Sequence, residues 1–140
     1  MEETKNVLKF ATSRSLAILD ELGRGTSTFD GYAIANAVMQ YLVRRLNCMT
    51  LFSTHYHMLL DEFRDFPGVK SYHMSYKANE AGDHVIFLYK FVEGECPMSF
   101  GLNVARMAGL PQKVLNRAKT KSEAFATQLD KVTNKAALEK

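Results

Sequence analysis

The chain has 140 residues, of which 46% are hydrophobic and 24% are charged, and its formal net charge at pH 7 is +3. This composition supports one small domain with a continuous core and excludes a disordered tail, and the lack of any run of about 18 apolar residues excludes a transmembrane helix within the sequence. The positive charge is concentrated near the end, because residues 1–110 carry 11 basic and 12 acidic side chains whereas residues 111–140 carry 7 and 3, which is a weak indication of nucleic-acid contact.

The first half of the chain predicts alternating helices and strands. Residues 2–12 have apolar positions at helical spacing, and the apolar run 16–19 predicts a buried parallel strand. After the polar loop 23–28, Asp30 is in position to cap a second helix. The apolar face of that helix is predicted to contain Ile34, Ala37, Val38, Tyr41 and Leu42. Residues 50–53 predict a second buried strand, and the order strand, loop, helix, strand indicates an α/β parallel crossover unit.

The second half predicts a β-hairpin followed by two helices. Residues 69–77 and 84–92 are rich in Val, Ile, Tyr and Phe and flank the segment 80–83, which indicates paired strands. Residues 99–108 then predict a helix that Gly109 ends, and Pro111 opens the next helix. That last helix has a thin heptad seam, formed by Leu115, Ala118, Ser122, Phe125, Leu129, Val132 and Ala136.

Cysteine content and the first residues bear on the cellular compartment. Two cysteines, Cys48 and Cys96, are too few for a disulfide framework and favour a reduced intracellular compartment. Met1–Asn6 lacks an apolar stretch, so we expect no secretory signal.

Asp20 and Glu21 are the leading candidates for chemistry. A buried strand that ends in two carboxylates places them at the carboxyl edge of a parallel sheet, where ligands of α/β proteins bind. One carboxylate can hold Mg²⁺, usually through water, while the other orients or deprotonates an attacking water. Considered alone, the pair is also compatible with a helix cap or a solvated strand end, which are the more common reasons for such a sequence.

Four motifs, in order along the chain, resemble the ATPase domain of MutS-family mismatch-repair proteins. Residues 20–31, Asp-Glu-Leu-Gly-Arg-Gly-Thr-Ser-Thr-Phe-Asp-Gly, are similar to the segment that begins at the family's Walker B motif, and residues 53–56, Ser-Thr-His-Tyr, are similar to its switch-histidine motif. Residues 99–105 and 108–111 resemble its C-terminal helix-turn-helix. The resemblance covers nearly the whole chain. It implies part of a P-loop NTPase fold of ABC type: a partial sheet with crossover helices, a β-hairpin and a C-terminal helix-turn-helix.

The resemblance also implies roles for individual residues. Asp20 would serve a magnesium ion, Glu21 would position the hydrolytic water, and His55 would sense the γ-phosphate of ATP. Further nucleotide contacts would come from Thr54, Ser27 and Thr28. The loop that crosses to a partner ATPase would contain Gly25, Thr26, Ser27, Thr28 and Asp30, and a dimer interface would contain Phe125 and Leu129. These roles suit phosphoryl transfer, which needs metal, in-line water and charge stabilisation more than covalent chemistry.

The phosphate-binding side of such a site is missing from these residues. No segment of the form G-x-x-x-x-G-K-[ST] occurs in them, and in the resembled family that loop lies upstream. We therefore expect residues 1–98 to be the C-terminal half of an ATPase domain, residues 99–140 to be a dimerisation segment, and the chain to be inactive alone. We also expect exposed apolar surface where the neighbouring strand is missing.

Partners and location follow from the same resemblance. The expected cofactors are ATP and Mg²⁺, and the expected partners are a second MutS-family subunit and mismatched DNA, the latter bound by domains outside this sequence. Residues 89–91 and 93–97 look most like eukaryotic MutS homologue six, the mismatch-sensing member of a heterodimer. We therefore expect a nuclear location and no contact with a membrane.

Two other hypotheses remain open. In the first, the last helix pair binds DNA without ATPase activity, and the groove-facing residues are Gln112, Lys113, Arg117, Lys119 and Lys121. The apolar seam of the same helix favours a protein partner instead. In the second, the chain has the same fold but acts as an inert regulatory fragment that competes for the partner subunit.

Overall fold

The computed structural model describes residues 1–79, 84–96 and 99–138, with side chains described as far as residue 128. The chain divides into two compact units, Met1–Ser71 and Tyr72–Lys140. Helices and small sheets are mixed along it, which confirms the predicted α/β class and is consistent with a portion of a P-loop-like ATPase fold. The boundary proposed at residue 98 from the motifs stays a prediction. None of the described helices is long and apolar enough to cross a membrane.

The first unit has the predicted order of helix, strand, helix and strand, and a further helix that the sequence analysis did not predict follows the second strand. In chain order these elements are α1 Glu2–Phe10, β1 Leu16–Asp20, α2 Thr28–Tyr41, β2 Met49–Ser53 and α3 His57–Phe63. A π-helical turn, Leu42–Leu46, continues α2. β1 and β2 pair in parallel, with Leu16 opposite Met49 and Asp20 opposite Ser53. The predicted parallel crossover is therefore confirmed.

The β1–β2 sheet is covered on one face and open to solvent on the other. Ala17 and Leu19 are buried in a cluster to which α1 and α2 both contribute, with Leu22, Val38, Leu42, Val7 and Leu8 among its members. The opposite face is apolar but exposed, with exposed fractions of 56% for Leu16, 68% for Ile18, 72% for Met49 and 52% for Leu51. The prediction of two buried strands is corrected: on one face of the sheet β1 is buried and β2 is half-buried, because both helices contribute to the same cluster. The predicted exposed apolar surface is confirmed.

The start and the buried face of α2 differ from the prediction. Ser27, not Asp30, is the N-cap, because its Oγ accepts a hydrogen bond from the backbone N–H of Asp30 at 3.2 Å. Asp30 lies within the first turn, where a carboxylate still favours the helix dipole. Val38 and Leu42 are buried as predicted, but Ala37 and Tyr41 are exposed and Ala35 is buried instead. Ala35 belongs to a cluster with Leu59 and Phe63 of α3, and helical periodicity alone does not specify that contact.

The second unit contains the predicted hairpin and helix pair. β3 Tyr72–Ala78 is antiparallel to β4 Val85–Glu93, with an irregularity between Met74 and Tyr76, and the predicted turn 80–83 lies outside the described residues. α4 Gly101–Met107 and α5 Gln112–Leu138 are joined by a turn in which Gly109 has φ +83°. The predicted hairpin and helix–turn–helix are therefore confirmed.

Only the first part of the heptad seam on α5 has described side chains. Leu115 is buried, whereas Ser122 and Phe125 are exposed. The side chains of Leu129, Val132 and Ala136 lie outside the described part of the chain. Phe125 is 61% exposed, so no described residue covers its side chain.

Candidate functional site

Polar side chains meet where β1 and β2 end. Asp20 pairs with Ser53 across the sheet, and the Ser53 hydroxyl donates a hydrogen bond to Oδ1 of Asp20. The backbone N–H of Glu21 is shared between the carbonyl oxygen of Ser53, at 3.1 Å, and its Oγ, at 3.2 Å. Ser53 therefore holds the side chain of one candidate carboxylate and the backbone of the other. Sequence analysis gave Ser53 no role of its own, although a hydroxyl at the end of a predicted strand is a usable signal.

Glu21 turns away from the strand and presents its carboxylate to two basic side chains. Its φ of +45° is in the left-handed region, which is uncommon for a residue other than glycine. One carboxylate oxygen, Oε2, contacts the Arg24 guanidinium, and the other, Oε1, is 3.8 Å from Nδ1 of His55. The Glu21 side chain is 36% exposed and that of His55 is 50% exposed. The site is therefore open to solvent, and exposed ion pairs of this kind contribute little to stability.

Two glycines allow the turn after Glu21 to approach the start of α2. A Cβ on Gly23 would lie 2.4 Å from the carbonyl oxygen of Gly31, and Gly23 has φ +95°. A Cβ on Gly31 would lie 2.6 Å from the carbonyl oxygen of Gly23 and 2.1 Å from the Tyr56 hydroxyl oxygen. No side chain fits at either position without backbone movement. The glycine spacing in residues 23–31 therefore serves this close approach.

The predicted site residues fall into three groups. The structure brings Asp20, Glu21 and His55 together at the strand ends, and Thr54 lies between Ser53 and His55, where its Oγ1 accepts a hydrogen bond from the N–H of Tyr56 at 3.0 Å. The crossing-loop residues are exposed: Gly25, Thr26, Ser27, Thr28 and Asp30. Within the described residues, no hydrogen bond or ion pair joins Ser27 or Thr28 to the two carboxylates. Phe125 lies on α5 in the second unit, and the side chain of Leu129 is outside the described residues.

A polar cluster next to the site joins α2 to α3. Glu62 accepts hydrogen bonds from the Tyr32 hydroxyl at 2.8 Å and from the Gln40 amide at 3.2 Å, and it also contacts the Asn36 amide. Burial, reinforced by the hydrogen bond to Glu62, raises the pKa of the Tyr32 phenol above its ordinary value. Tyr32 is thus a neutral donor that ties α2 to the helix following His55. No sequence pattern indicates this cluster, since its members are ordinary polar helix residues.

The donor set at Asp20 fits a magnesium ion held mostly by water and phosphate. The described residues include no group of three or more His, Cys, Asp or Glu side chains that could hold a metal by themselves. Mg²⁺ at phosphoryl-transfer sites needs only one or two carboxylates, because waters and substrate oxygens complete its octahedron. Asp20 is exposed and oriented by Ser53, so it offers one such carboxylate with room for water beside it.

Comparison with known proteins identifies the family of the chain. The family model of MutS domain V matches residues 1–126. The chain belongs to the MutS family. It is 48% identical to DNA mismatch repair protein MSH3 of Phaeosphaeria nodorum over 143 residues, covering 100% of this chain and 13% of that protein. It is 46% identical to human DNA mismatch repair protein Msh6 over 130 residues, covering 89% of this chain and 10% of that protein.

Bacterial members of the MutS family match equally well. DNA mismatch repair protein MutS of Ruminiclostridium cellulolyticum is 51% identical over 121 residues, covering 85% of this chain and 14% of that protein. Because eukaryotic MSH3, Msh6 and MSH7 and bacterial MutS match at similar identity, the comparison supports the MutS family without selecting one branch. The chain spans between 10% and 14% of the length of these relatives.

Proposed function

We propose that this chain supplies the hydrolysis side of an ATP site in a MutS-type ATPase, which couples ATP binding and hydrolysis to DNA mismatch recognition and repair. The observation that carries the proposal is the meeting of Glu21 and His55 at the ends of two parallel strands, with Asp20 beside them. Phosphoryl transfer uses such groups: one carboxylate for the attacking water, a second carboxylate suited to a metal, and an imidazole. Membership in the family supports the assignment of Asp20 and Glu21 as its Walker B pair.

Glu21 is the general base or water-positioning group in this proposal. Its carboxylate is solvent-accessible, and the hydrogen bonds from its N–H to Ser53 fix the backbone from which it projects. Arg24 contacts Oε2 of the Glu21 carboxylate. The other oxygen, Oε1, therefore faces His55 and an incoming water. A positioned base of this kind contributes on the order of 10²–10⁴-fold to a reaction rate.

Asp20 and His55 complete the proposed site. Mg²⁺, when bound beside Asp20, supplies charge neutralisation for the phosphate oxygens. Nδ1 of His55 lies 3.8 Å from Glu21, and Nε2, in the tautomer that carries its proton there, donates a hydrogen bond to the γ-phosphate. Thr54, Ser27 and Thr28 add hydroxyl groups for further nucleotide contacts, and the loop Gly25–Asp30 reaches the partner ATPase.

The assembly proposed is a heterodimer with a second MutS-family subunit. The exposed Phe125 on α5 supplies apolar surface for that partner, and Leu129 remains a predicted member of the same interface. Within the family we favour eukaryotic homologue six, on residues 89–91 and 93–97, which implies a nuclear location and contact with mismatched DNA through other domains. The 140 residues contain no G-x-x-x-x-G-K-[ST] segment, so we propose that by themselves they do not hydrolyse ATP.

The test replaces Glu21 with Gln in a MutS-family protein that contains these residues together with a phosphate-binding loop. We expect Glu21→Gln to retain nucleotide binding while hydrolysis falls by at least about tenfold, because the amide no longer accepts the proton of the attacking water. Glu2→Gln, an exposed change on α1 that removes only an ion pair with Lys5, is the control and should leave turnover unchanged. Asp20→Asn should instead weaken the magnesium dependence of nucleotide binding. Near-normal turnover in Glu21→Gln would remove that residue from the mechanism.

One observation favours the alternative hypothesis of DNA binding by the helix pair. Lys113, Arg117 and Lys121 are exposed at intervals of one helical turn on α5. Such a basic stripe matches the charge of a phosphate backbone. Gln112 is less available for base contact, since its amide donates to Asn116 at 2.7 Å. We rank this function second because the stripe lies beside exposed apolar side chains, which favour a protein partner.

A further inference from the structure

Tyr56 is buried although the two histidines beside it are exposed. It follows His55 in the segment between β2 and α3, and only 8% of its surface is accessible. Its backbone is held on both sides, by donation from its N–H to Thr54 Oγ1 at 3.0 Å and by acceptance at its carbonyl oxygen from the N–H of Leu59 at 3.0 Å. These two hydrogen bonds therefore hold the backbone from which the Tyr56 ring projects.

The Tyr56 ring spans the distance from His55 to the start of α2. Its centroid is 4.2 Å from that of the His55 imidazole, at an interplanar angle of 40°. On another side the Tyr32 ring meets it edge-on at 6.2 Å. Its hydroxyl oxygen lies so close to Gly31 that a Cβ there would be 2.1 Å away. Tyr56 thus contacts the imidazole of one candidate site residue and the backbone of the helix start.

The backbone that the Tyr56 hydroxyl approaches also contacts the turn that follows Glu21, the other candidate site residue. Gly31 rests against Gly23, which lies in the turn that immediately follows Glu21. Tyr56, Gly31 and Gly23 therefore form a packed connection between the segment that carries His55 and the turn that carries Glu21. The direct contact between those two side chains, at 3.8 Å and with both partly exposed, is too weak to fix their relative position.

We propose that Tyr56 is a positioning residue that holds the His55 imidazole against Glu21. The inference rests on the proposed function, since it assigns how the sensing histidine is held rather than a separate activity. Ring packing performs the positioning, because the hydroxyl approaches backbone and no described hydrogen bond requires it. Loss of the ring frees the exposed His55 side chain to occupy other rotamers, so the imidazole is at the phosphate for a smaller fraction of time.

The experiment is a double-mutant cycle in a MutS-family protein that contains this segment and a phosphate-binding loop. The variants are His55→Ala, Tyr56→Leu and both together, with Tyr56→Phe as the conservative change. We expect Tyr56→Leu to lower kcat by about tenfold with nucleotide affinity kept within about twofold, and Tyr56→Phe to retain turnover. In the double variant kcat should match that of His55→Ala, because a residue that acts through His55 has nothing left to position.

Other outcomes overturn the inference. If the losses of kcat multiply in the double variant, or if Tyr56→Leu turns over normally, Tyr56 only fills the core between α2 and α3. Tyr41→Leu makes the same chemical change at an exposed position of α2 and is the control. If Tyr56→Leu does not fold, as judged by thermal unfolding, Tyr56→Met repeats the cycle with a larger flexible side chain. Wild-type turnover in both Glu21→Gln and His55→Ala would instead refute the proposed function itself.

Discussion

The candidate site depends on a few residues whose backbone positions are as important as their side chains. Glu21 is useful because it leaves β1 at a positive φ and is held there by Ser53, which directs its carboxylate to His55. The sequence predicts the presence of the carboxylates and of the histidine. It does not predict the hydrogen bonds of Ser53 or the burial of Tyr56, because those contacts join segments that are distant along the chain.

The close approach of Gly23 and Gly31 gives a prediction at this scale. We expect Gly31→Ala to lower the free energy of unfolding by about 1–3 kcal/mol, because the new methyl group overlaps both the Gly23 carbonyl and the Tyr56 hydroxyl. Urea unfolding of the 140-residue chain measures this change. Tyr56→Phe in the same chain should recover part of the loss, since it removes one of the two clashes.

Gly101→Ala is the matched control for that prediction. At Gly101 the nearest atom to an added Cβ is Ser99 Oγ at 3.8 Å, an ordinary contact, so stability should stay within about 1 kcal/mol of the wild-type value. Equal effects of the two substitutions would show that the Gly23–Gly31 contact is loose in solution.

At the scale of elements, α2 is the organising helix of the first unit. One part of it packs on the sheet through Val38, and another packs on α3 through Ala35. Sequence periodicity located the helix but assigned only one apolar face, so Ala37 and Tyr41 were wrongly included in it. A helix that contacts two neighbours has a wider buried surface than a single stripe predicts.

The Tyr32–Glu62 cluster between α2 and α3 gives a pH-dependent prediction. The folded chain holds the phenol proton more tightly than the unfolded chain, whose tyrosine titrates near 10.0. The stabilisation is therefore fully present below that value and is lost as the pH rises toward the folded-state pKa. Urea unfolding should show wild type losing stability relative to Tyr32→Phe above about pH 10. Parallel pH profiles of the two proteins would contradict a shifted pKa at Tyr32.

The exposed side chains of α5 distinguish the two proposed uses of the helix pair. Phe125→Asp with Leu129→Asp should abolish association with a second MutS-family subunit, because a charge would be buried in an apolar interface. Lys119→Glu with Lys121→Glu reverses two charges on the same helix and should leave that association intact. Sedimentation with the partner subunit and a DNA-binding titration measure both properties. Loss of DNA binding in the lysine variant, with dimerisation unchanged in the aspartate variant, would support the DNA-binding hypothesis.

At the scale of the whole molecule, the open face of the β1–β2 sheet is the dominant feature of the first unit. Four large apolar side chains on adjacent strands are more than half exposed, next to Asp20 and Ser53 on the same face. Contiguous apolar surface of this kind favours association. The sequence predicted such a surface through the resemblance, since the neighbouring strand that carries the phosphate-binding loop in the resembled family is not among these residues.

This surface predicts concentration-dependent self-association of the 140-residue chain. Ile18→Lys with Leu51→Lys should shift sedimentation toward the monomer, because two desolvated charges oppose burial of the face. Met58→Lys adds a charge at an exposed position of α3 and serves as the control. Unchanged association in the Ile18 and Leu51 variant would place the self-associating surface elsewhere.

The sequence by itself determined the order of the elements other than α3, together with the parallel crossover, the hairpin, the helix–turn–helix and the family, because those depend on local periodicity and on ordered motifs. It also named Asp20, Glu21 and His55, whose roles stay proposals. The tertiary structure decided that Ser27 caps α2, that Ala35 faces α3, that one sheet face is open and that Tyr56 packs between His55 and Gly31. These features depend on contacts between distant segments, and the free energy of such contacts is set by which surfaces meet rather than by any local pattern.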